Sequence, residues 1–366
     1  MRITILSSVH KHNDIRIFQK EARSLVKAGH EVFFINKDVS KKEDGITFIK
    51  ADVSSKRLSR ILFGPSKMYK AALTTNADVY HFHDPELKAI ATKLLKRGKV
   101  IYDSHEDTPR QILDKYYLPK FLRKISSKLF ERDEKKRAKK FDAVITATDT
   151  IRDVFVKNGI TNVVTVNNYP ILDEFENIDC SFSKKSDIVI YAGGLERIRG
   201  ISEICAAAPK TPCKIKIAGL FSDPVFENEC KKSVKDGNPE FLGMLGRKDL
   251  VTLLESAKAG LVLFKPIENH INSMPNKIFE YMAAGIPVIA SDFPLWKRII
   301  EENKCGICVN PDDPDKIAKA ITYIVENNEE ATLMGERGRG MVNTKYNWAT
   351  QEETLIKLYS ELDNKN

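Results

Sequence analysis

The stretch that decides the fold reads Asn272-Ser-Met-Pro-Asn-Lys-Ile-Phe-Glu-Tyr-Met-Ala-Ala-Gly-Ile-Pro-Val-Ile-Ala-Ser-Asp292. We expect a helix that begins near Pro275 and is capped by Ser273, because a serine hydroxyl accepts from the free amides of a first turn and proline fits that turn. Gly285 is placed to end the helix, and Pro287 opens an apolar run typical of a buried strand. A helix followed at once by a buried strand indicates a parallel α/β sheet.

The same alternation of short β-branched runs and longer amphipathic stretches extends along nearly the whole chain, which predicts βαβ units. In the first half we predict strands at Arg2–Leu6, Glu31–Asn36, Thr47–Lys50, Asp78–Phe82, Lys99–Asp103, Ala143–Thr146 and Val163–Val166. In the second half we predict them at Asp187–Ala192, Lys214–Ala218, Glu240–Leu242, Ala259–Phe264, Pro287–Ala290 and Gly306–Val309. The fold class is therefore α/β, with two doubly wound sheets.

The length of 366 residues suits two domains of ordinary size. The polar, weakly periodic stretch from Asn167 to Lys185 marks the break, so we predict domains at 1–168 and 169–345 and a closing segment at 346–366. No apolar run approaches the ~18 residues that span a bilayer. The six cysteines lack the spacing of a zinc site. These features predict a cytoplasmic protein with reduced thiols.

Charge is distributed unevenly between the two halves. Residues 1–170 carry 34 Lys and Arg against 20 Asp and Glu, whereas residues 171–366 carry 25 against 30. The segments Lys56–Lys70 and Lys120–Lys140 mix these cations with apolar side chains. This pattern favours peripheral contact of the first domain with an anionic membrane at the inner face of the cell. Packing of each apolar face on its own domain is the alternative. The stacking motifs typical of RNA-binding proteins are missing, so we expect no nucleic-acid partner.

Within the deciding stretch, four polar residues share one face of the predicted helix by their spacing: Ser273, Asn276, Lys277 and Glu280. The free amides of a helix N-terminus and a lysine in its first turn attract a diphosphate, and a carboxylate one turn later can accept both hydroxyls of a ribose. An ordinary capped helix would show the same spacing.

The run Phe279-Glu-Tyr-Met-Ala-Ala-Gly-Ile-Pro-Val288 resembles the signature of the family 4 glycosyltransferases of the GT-B fold, and the likeness covers nearly the whole chain. That signature has two glutamates eight positions apart. The resemblance implies that Glu280 binds the donor ribose. Asn272 stands at the earlier glutamate position, where it keeps a hydrogen-bonding group for the donor sugar but loses the charge.

The resemblance also implies an architecture. Two Rossmann-like domains would face each other across a cleft, with residues 1–168 binding the acceptor and residues 169–345 binding the nucleotide sugar. The closing segment, 346–366, would be a helix that returns to the first domain.

The segment Gly193-Gly-Leu-Glu-Arg-Ile-Arg-Gly200 is similar to a second family motif, in which two cations line the donor diphosphate. Arg199 stands at the lysine position, and Gly194 replaces the arginine. The resemblance implies that Arg199 supplies one cation and that Lys277 or Arg197 supplies the other, with Lys277 the better placed. Gly194, Ser273 and Asn276 are thereby implied as further donor contacts.

The segment Ser8-Val-His-Lys-His-Asn-Asp-Ile-Arg16 looks like the opening of a bacterial branch of the family that assembles polysaccharides or glycolipids. It implies that Asp14 and Arg16 contact the acceptor or the donor, and we assign both to the acceptor. His83 and Asp84 follow the fourth predicted strand, at the carboxyl edge where open α/β sheets bind ligands. We predict that they contact the acceptor too.

His105 occupies the position of a histidine that many family enzymes place beside the reacting centre. The implied mechanism retains the anomeric configuration, with His105 orienting the sugar and with Arg199 and Lys277 stabilising the leaving diphosphate. Asp313-Pro-Asp315 is the pattern of a helix cap rather than of a metal site. We therefore expect no metal and no cofactor, since the nucleotide sugar is itself a substrate.

The implied partners are a nucleotide diphosphate sugar and a saccharide or lipid-linked acceptor. Two alternatives stay open. A non-catalytic nucleotide-sugar-binding partner of another transferase would fit the departures at Gly194 and Asn272. A sugar-nucleotide epimerase of the GT-B fold would use the donor without an acceptor.

Overall fold

The computed structural model describes residues 1–113, 119–181 and 185–364. The chain divides into two units. The first comprises Met1–Asn168 together with Trp348–Asn366, and the second is Tyr169–Asn347. Residues 182–184 of the predicted break and the last two residues of the predicted closing segment lie outside the described part of the chain.

Within the described residues, the first unit is built on an eight-stranded sheet of order β3-β4-β2-β1-β5-β6-β7-β8. Neighbouring strands pair in parallel, except that β3 pairs antiparallel with β4. The strands are β1 (Arg2–Leu6), β2 (Glu31–Asn36), β3 (Lys41–Glu43), β4 (Ile46–Lys50), β5 (Val79–Phe82), β6 (Lys99–Ser104), β7 (Ala143–Thr146) and β8 (Val163–Thr165). This order places the carboxyl ends of β1, β5 and β6 side by side at one edge of the sheet.

Helices cover the first sheet and follow its strands. A π-helical segment, Ile15–Ala22, leads directly into the first α-helix. The α-helices are α1 (Arg23–Lys27), α2 (Arg57–Leu73), α3 (Lys88–Leu94), α4 (Thr108–Leu113), α5 (Lys120–Ala138) and α6 (Asp149–Lys157). Strands β5 and β7 are buried along their whole length, as expected for a parallel sheet covered on both faces.

The second unit, among its described residues, has a six-stranded parallel sheet of order β11-β10-β9-β12-β13-β14. Its strands are β9 (Ile188–Ala192), β10 (Lys214–Ala218), β11 (Glu240–Gly243), β12 (Ala259–Val262), β13 (Val288–Ser291) and β14 (Gly306–Val309). Its helices are α7 (Ile201–Ala207), α8 (Pro224–Ser233), α9 (Arg247–Ser256), α10 (Glu268–Ile271), α11 (Asn276–Ala283), α12 (Pro294–Ile300), α13 (Pro314–Glu326) and α14 (Asn328–Thr344).

The last helix, α15 (Trp348–Asp363), belongs to the first unit. Trp348 Nε1 donates to Ser24 Oγ at 3.0 Å, and the Tyr359 hydroxyl lies 2.9 Å from His81 Nδ1. Leu355 and Leu358 are buried between these contacts. Residues 346 and 347, which the sequence joined to this segment, lie in the second unit.

The doubly wound α/β fold is confirmed, and every predicted strand is present with its bounds shifted by two residues or fewer. The prediction that Ser273 caps the following helix is wrong. Pro275 occupies the cap position of α11 in an extended conformation, and the Ser273 hydroxyl instead donates to His270 O at 2.9 Å. Because proline has no N–H, it leaves one fewer amide at the helix start that needs a partner.

Candidate functional site

The candidate residues lie after the carboxyl ends of strands in each unit. In the first unit they follow β1, β5 and β6. In the second unit they follow β9, β11 and β12. This is the edge at which open α/β sheets bind ligands.

Asp84, directly after β5, organises the loop that follows β1. Its Oδ2 atom accepts from the Ser7 hydroxyl at 2.9 Å and from the Val9 amide at 3.1 Å, and it also accepts from the amide of Ser8. The carboxylate is buried. Its observed partners are therefore internal to the protein, and its predicted contact with an acceptor stays a prediction.

Asp14 starts the π-helical segment and holds His10 beside it. Its Oδ1 atom accepts from the amides of Arg16 and Ile17, and its Oδ2 atom lies 3.0 Å from His10 Nδ1. Burial raises the pKa of Asp14, but the hydrogen bond to His10 and those from the backbone outweigh it, so the pKa is lowered. Asp14 is half-buried, so it remains accessible to a ligand.

Arg16 is buried and lies inside the first unit. Its guanidinium donates to Asp103 at 2.9 and 3.1 Å and to the Val166 carbonyl at 2.8 Å. Burial raises the pKa of Asp103, but Arg16 together with His105 and His83 outweighs burial and holds that pKa well below its usual range. The pair is an internal bidentate ion pair, which is strong because it is charged and planar. Its geometry gives no support to a direct acceptor contact by Arg16.

His83 and His105 meet at the end of a row of buried histidines. His83 Nδ1 lies 3.0 Å from His105 Nε2. The His83 side chain is fully buried, whereas 18% of the His105 side chain is exposed. Burial lowers the pKa of His83 well below its usual value and lowers that of His81 to about 4, so both rings are neutral at pH 7. Of this row, His105 is the ring that a ligand can reach.

Glu21, which the sequence reasoning missed, lies beneath this row. Its Oε2 atom lies 3.6 Å from His83 Nε2, and its Oε1 atom lies 3.0 Å from Arg16 Nε. Its side chain is fully buried. The sequence contained a sign that Glu21 is buried. Glu21 lies four positions after Ile17 and four before Leu25, on the face that a helix turns toward the core.

Four of these side chains, Glu21, His81, His83 and Asp103, have potential metal-ligand atoms within 4.8 Å of one another. The Arg16 guanidinium contacts both carboxylates of this group. It supplies there the positive charge that a cation would bring, and two cations in contact with the same buried carboxylates would repel each other. In this structure the group forms an ion-pair network with Arg16.

In the second unit, Glu280 on α11 is the centre of the candidate donor site. It is buried, and its Oε1 and Oε2 atoms accept from Arg247 at 2.6 Å and from Lys277 at 2.7 Å. Burial raises the pKa of Glu280, but the two cations outweigh it, so the pKa is lowered and the carboxylate is ionised at pH 7. The prediction that Lys277 and Glu280 share one face is confirmed by this contact.

Arg247, the first residue of α9, was not singled out from the sequence. Besides Glu280 it donates to Glu174 from Nε at 2.9 Å, and its guanidinium lies 5.3 Å from the centre of the Phe175 ring. The sequence did contain a sign of its position. Arg247 directly follows the loop Gly243-Met-Leu-Gly246 after β11, and a residue there begins a helix at the carboxyl edge of the sheet.

Arg199 lies at the end of a short 3-10 segment after β9, close to Gly194. The Tyr191 hydroxyl donates to Gly194 O at 2.8 Å and so fixes the glycine loop. The Arg199 guanidinium lies 5.2 Å from the centre of the Phe264 ring, and its Nε atom is buried without a hydrogen-bond partner among the described residues. Arg197, in contrast, lies over Phe226 and pairs with Glu229.

The remaining donor candidates lie just before and at the start of α11. Asn272 is exposed at the end of α10, and Ser273 O accepts from Trp296 Nε1 at 2.7 Å. Asn276 is the first residue of α11, and its Oδ1 atom is buried without a hydrogen-bond partner in the described part of the chain. These residues lie close together along the chain, and their contacts with the donor stay a prediction.

Two family models match the chain. "Glycosyltransferase Family 4" matches residues 16–169, and "Glycosyl transferases group 1" matches residues 174–341. Among curated relatives, the phosphatidyl-myo-inositol mannosyltransferase of Mycolicibacterium smegmatis is 23% identical over 316 residues, which cover 82% of this chain and 76% of the relative.

Solved structures with the same fold cover essentially the whole chain. The sucrose-phosphate synthase of Thermosynechococcus elongatus superposes with a TM-score of 0.77 at 17% identity, and the alignment covers 100% of both chains. HepE of Anabaena in complex with UDP-glucose superposes with a TM-score of 0.75 at 14% identity, over 99% of this chain and 100% of that one. At these identities the likeness concerns the fold alone.

Proposed function

Because the chain belongs to the family 4, group 1 glycosyltransferases of the GT-B fold, we propose that it is a retaining, metal-independent enzyme that transfers a sugar from a nucleotide diphosphate to a saccharide or lipid-linked acceptor. The role would be in bacterial surface polysaccharide or glycolipid synthesis. The donor residues lie in the second unit, and the acceptor residues and His105 lie in the first.

The observation that carries the proposal is the group Arg247–Glu280–Lys277. A buried, ionised carboxylate that is held by two cations keeps further lone pairs free to accept from the two hydroxyls of a ribose. Lys277 stands in the first turn of α11, where the free amides also attract an anion. This arrangement supports nucleotide binding with the diphosphate near the start of α11.

Stabilisation of the leaving diphosphate needs positive charge that is already in place before the reaction. The Arg199 Nε atom is buried without a hydrogen-bond partner among the described residues, with Glu196 Oε2 4.0 Å away, which suits its N–H to donate to a phosphate oxygen. The contacts of Arg197 with Phe226 and Glu229 favour Lys277, rather than Arg197, as the second cation. Two fixed cations supply the charge that a metal ion supplies in other transferases, and no metal is needed in this scheme.

The lipid-linked acceptor and the membrane contact rest on the surface of the first unit. Helix α2 exposes Leu58, Leu62 and Phe63, and helix α5 exposes Phe121 and Leu129, each by more than half of its surface. The alternative that these side chains pack on their own domain is thereby disfavoured. Cations stand between them in both helices, so the two faces suit an anionic bilayer at the inner face of the membrane.

The name of one relative bears on the lipid-linked acceptor. The name of the M. smegmatis relative describes a lipid-linked acceptor for that protein. None of the described helices is long and apolar enough to cross a bilayer.

The test is a panel of UDP-, GDP- and ADP-sugars with EDTA present, scored by thermal shift and by donor hydrolysis. We expect one donor to stabilise the protein and to be hydrolysed without metal, and we expect both effects to vanish in Glu280→Ala. The control Glu229→Ala removes an exposed carboxylate elsewhere in the same unit and should change neither effect.

Other outcomes of this panel would contradict the proposal. Donor binding without turnover, even with membrane extract as acceptor, would favour a non-catalytic binding partner. Conversion of the donor sugar into its epimer would favour an epimerase. Retention is read separately, from the anomeric configuration of the product by NMR.

A further inference from the structure

We propose that Arg247 is a positioning residue for Glu280: held by Glu174 on one edge of its guanidinium, it turns the Glu280 carboxylate toward both hydroxyls of a ribose. The three side chains come from three elements of the second unit, namely α9, α11 and the 3-10 segment Leu172–Phe175. This role rests on the proposed function, because it takes the donor ribose to bind at Glu280. It also determines the class of nucleotide that the site accepts.

The direction of the Glu280 carboxylate is not fixed by its own side chain. The last torsion of a glutamate, χ3, is broad and roughly two-fold, so the plane of the carboxylate follows its hydrogen-bond partners. Arg247 Nη1 donates to Glu280 Oε1 at 2.6 Å, and Lys277 Nζ donates to Oε2 at 2.7 Å. Each oxygen keeps a lone pair for one further donor, so the same carboxylate can accept from two neighbouring hydroxyls.

Of these two partners, Arg247 has the rigid donor group. Lys277 stands three positions before Glu280 on the same helix, and its ammonium is a point charge at the end of four flexible carbons. The Arg247 guanidinium is planar, and it reaches Glu280 from another helix, α9. The orientation of the carboxylate therefore depends on how the plane of the Arg247 guanidinium is held.

Two neighbours in the 3-10 segment hold that plane. Arg247 Nε donates to Glu174 Oε2 at 2.9 Å, and Arg247 Nη2 donates to the same oxygen. The centre of the Phe175 ring lies 5.3 Å from the guanidinium carbon, which is a cation–π distance, and Phe175 is itself buried in the core of the second unit. Because the guanidinium is rigid, fixing its Nε–Nη2 edge also fixes the direction in which Nη1 donates to Glu280.

A carboxylate oriented in this way distinguishes two classes of nucleotide. A ribonucleotide offers a 2′- and a 3′-hydroxyl, whereas a 2′-deoxyribonucleotide offers the 3′-hydroxyl alone and leaves one oxygen of the buried Glu280 without a donor from the ligand. A hydrogen bond to a charged group contributes enough to change the affinity by about tenfold or more. The donor is therefore a ribonucleotide diphosphate sugar, and 2′-deoxyribonucleotide donors are disfavoured.

The test measures the affinities of UDP, GDP and ADP, and of their 2′-deoxy counterparts, by isothermal titration calorimetry. For the nucleotide that binds, we expect the wild type to prefer the ribonucleotide by about tenfold or more. In Glu280→Ala the two forms should bind equally. This ratio of affinities compares two ligands with the same diphosphate, so a general loss of positive charge at the site cancels out of it.

Variants of Arg247 and Glu174 separate orientation from charge. Arg247→Lys keeps the positive charge but loses the planar fork, and Glu174→Ala removes the carboxylate that holds the fork while Glu280 keeps both of its cations. We expect each variant to lower the ratio to about threefold or less. The matched controls are Arg337→Lys and Glu229→Ala, which alter two other Arg–Glu pairs of the second unit and should keep the wild-type ratio.

The outcomes distinguish this role from the proposed function. A wild type that binds none of the nucleotides, or that binds both forms equally, would contradict the donor site at Glu280 on which the proposed function rests. A wild-type ratio that vanishes in Glu280→Ala but persists in Arg247→Lys would contradict the positioning role of Arg247 alone. Persistence of the ratio in Glu174→Ala would contradict the part given to Glu174.

Discussion

Single residues decide the charge of each candidate site, and Arg247 in the second unit is the clearest example. It is one of two cations that keep the buried Glu280 ionised. We expect Arg247→Met to raise the pKa of Glu280, because burial then opposes only Lys277. The free energy of unfolding of the second unit should fall by about 1–3 kcal/mol, the cost of removing one partner from a buried hydrogen bond.

The stability lost in Arg247→Met depends on pH, and the direction of that dependence follows from the lowered pKa of Glu280. The folded-state pKa of Glu280 is lowered, so its ionised form contributes stability above the usual carboxyl value of 4.5, and this contribution is lost as the pH falls through the lower folded value. In Arg247→Met the loss should begin at a higher pH. Thermal unfolding and nucleotide binding between pH 4 and pH 7 measure both effects. Arg197→Met, which removes an exposed cation of the same unit, is the control and should give the wild-type curve.

The contacts that Arg247 and Glu21 make in the folded protein could not be predicted from the sequence. The pairing of Lys277 with Glu280 follows from helix spacing, because the two residues are three positions apart. Arg247 reaches Glu280 across 33 positions, and Glu21 reaches His83 across 62. Only the folded chain brings these groups together, so neither contact has a local sequence pattern.

At the scale of elements, the helices α2 and α5 each carry several exposed apolar side chains. We expect the double substitution Leu62→Ser and Phe63→Ser to weaken binding to phosphatidylglycerol vesicles by about tenfold or more, because burial of each side chain in lipid contributes about 1.5–3 kcal/mol. The folded state should lose little stability, since both side chains already face solvent.

Co-sedimentation with vesicles at two salt concentrations measures this effect. Val156→Ser removes another exposed apolar side chain, on α6 of the same unit, and should leave binding unchanged. Equal binding of the α2 variant and the wild type would contradict a membrane role for α2.

The strands with buried apolar side chains were predictable from the sequence. The edge strand β3 and the start of α11 were not. The predicted strands are short β-branched runs with buried side chains, a pattern that parallel sheets impose. Strand β3 reads Lys-Lys-Glu, and all three residues are exposed, so no apolar period marks it. The start of α11 was misjudged because Ser273 satisfies a carbonyl of the preceding turn instead of an amide of the following one.

At the scale of the whole molecule, the first unit is assembled from two separated parts of the chain. We expect truncation after Asn347 to unfold the first unit, because it removes the buried side chains of Trp348, Leu355, Leu358 and Tyr359. Their burial contributes about 1.5–3 kcal/mol each, and a whole domain is stable by only about 5–15 kcal/mol.

Limited proteolysis with mapped peptides checks this expectation. Cleavage should spread over residues 1–168 and spare residues 169–347. Tyr359→Phe, which removes only the hydroxyl that contacts His81, should remain resistant. Resistance of the truncated first unit would mean that α15 is dispensable for its packing.

The return of α15 to the first unit also sets an order of events during synthesis on the ribosome. The second unit has all its residues outside the ribosome before the first unit does, although the first unit begins earlier. At about 5–20 residues per second, roughly 10–40 s pass between the emergence of residue 168 and that of residue 348. Throughout that interval Ser24 and His81 lack their partners from α15, so the nascent first unit stays incomplete until that helix has emerged.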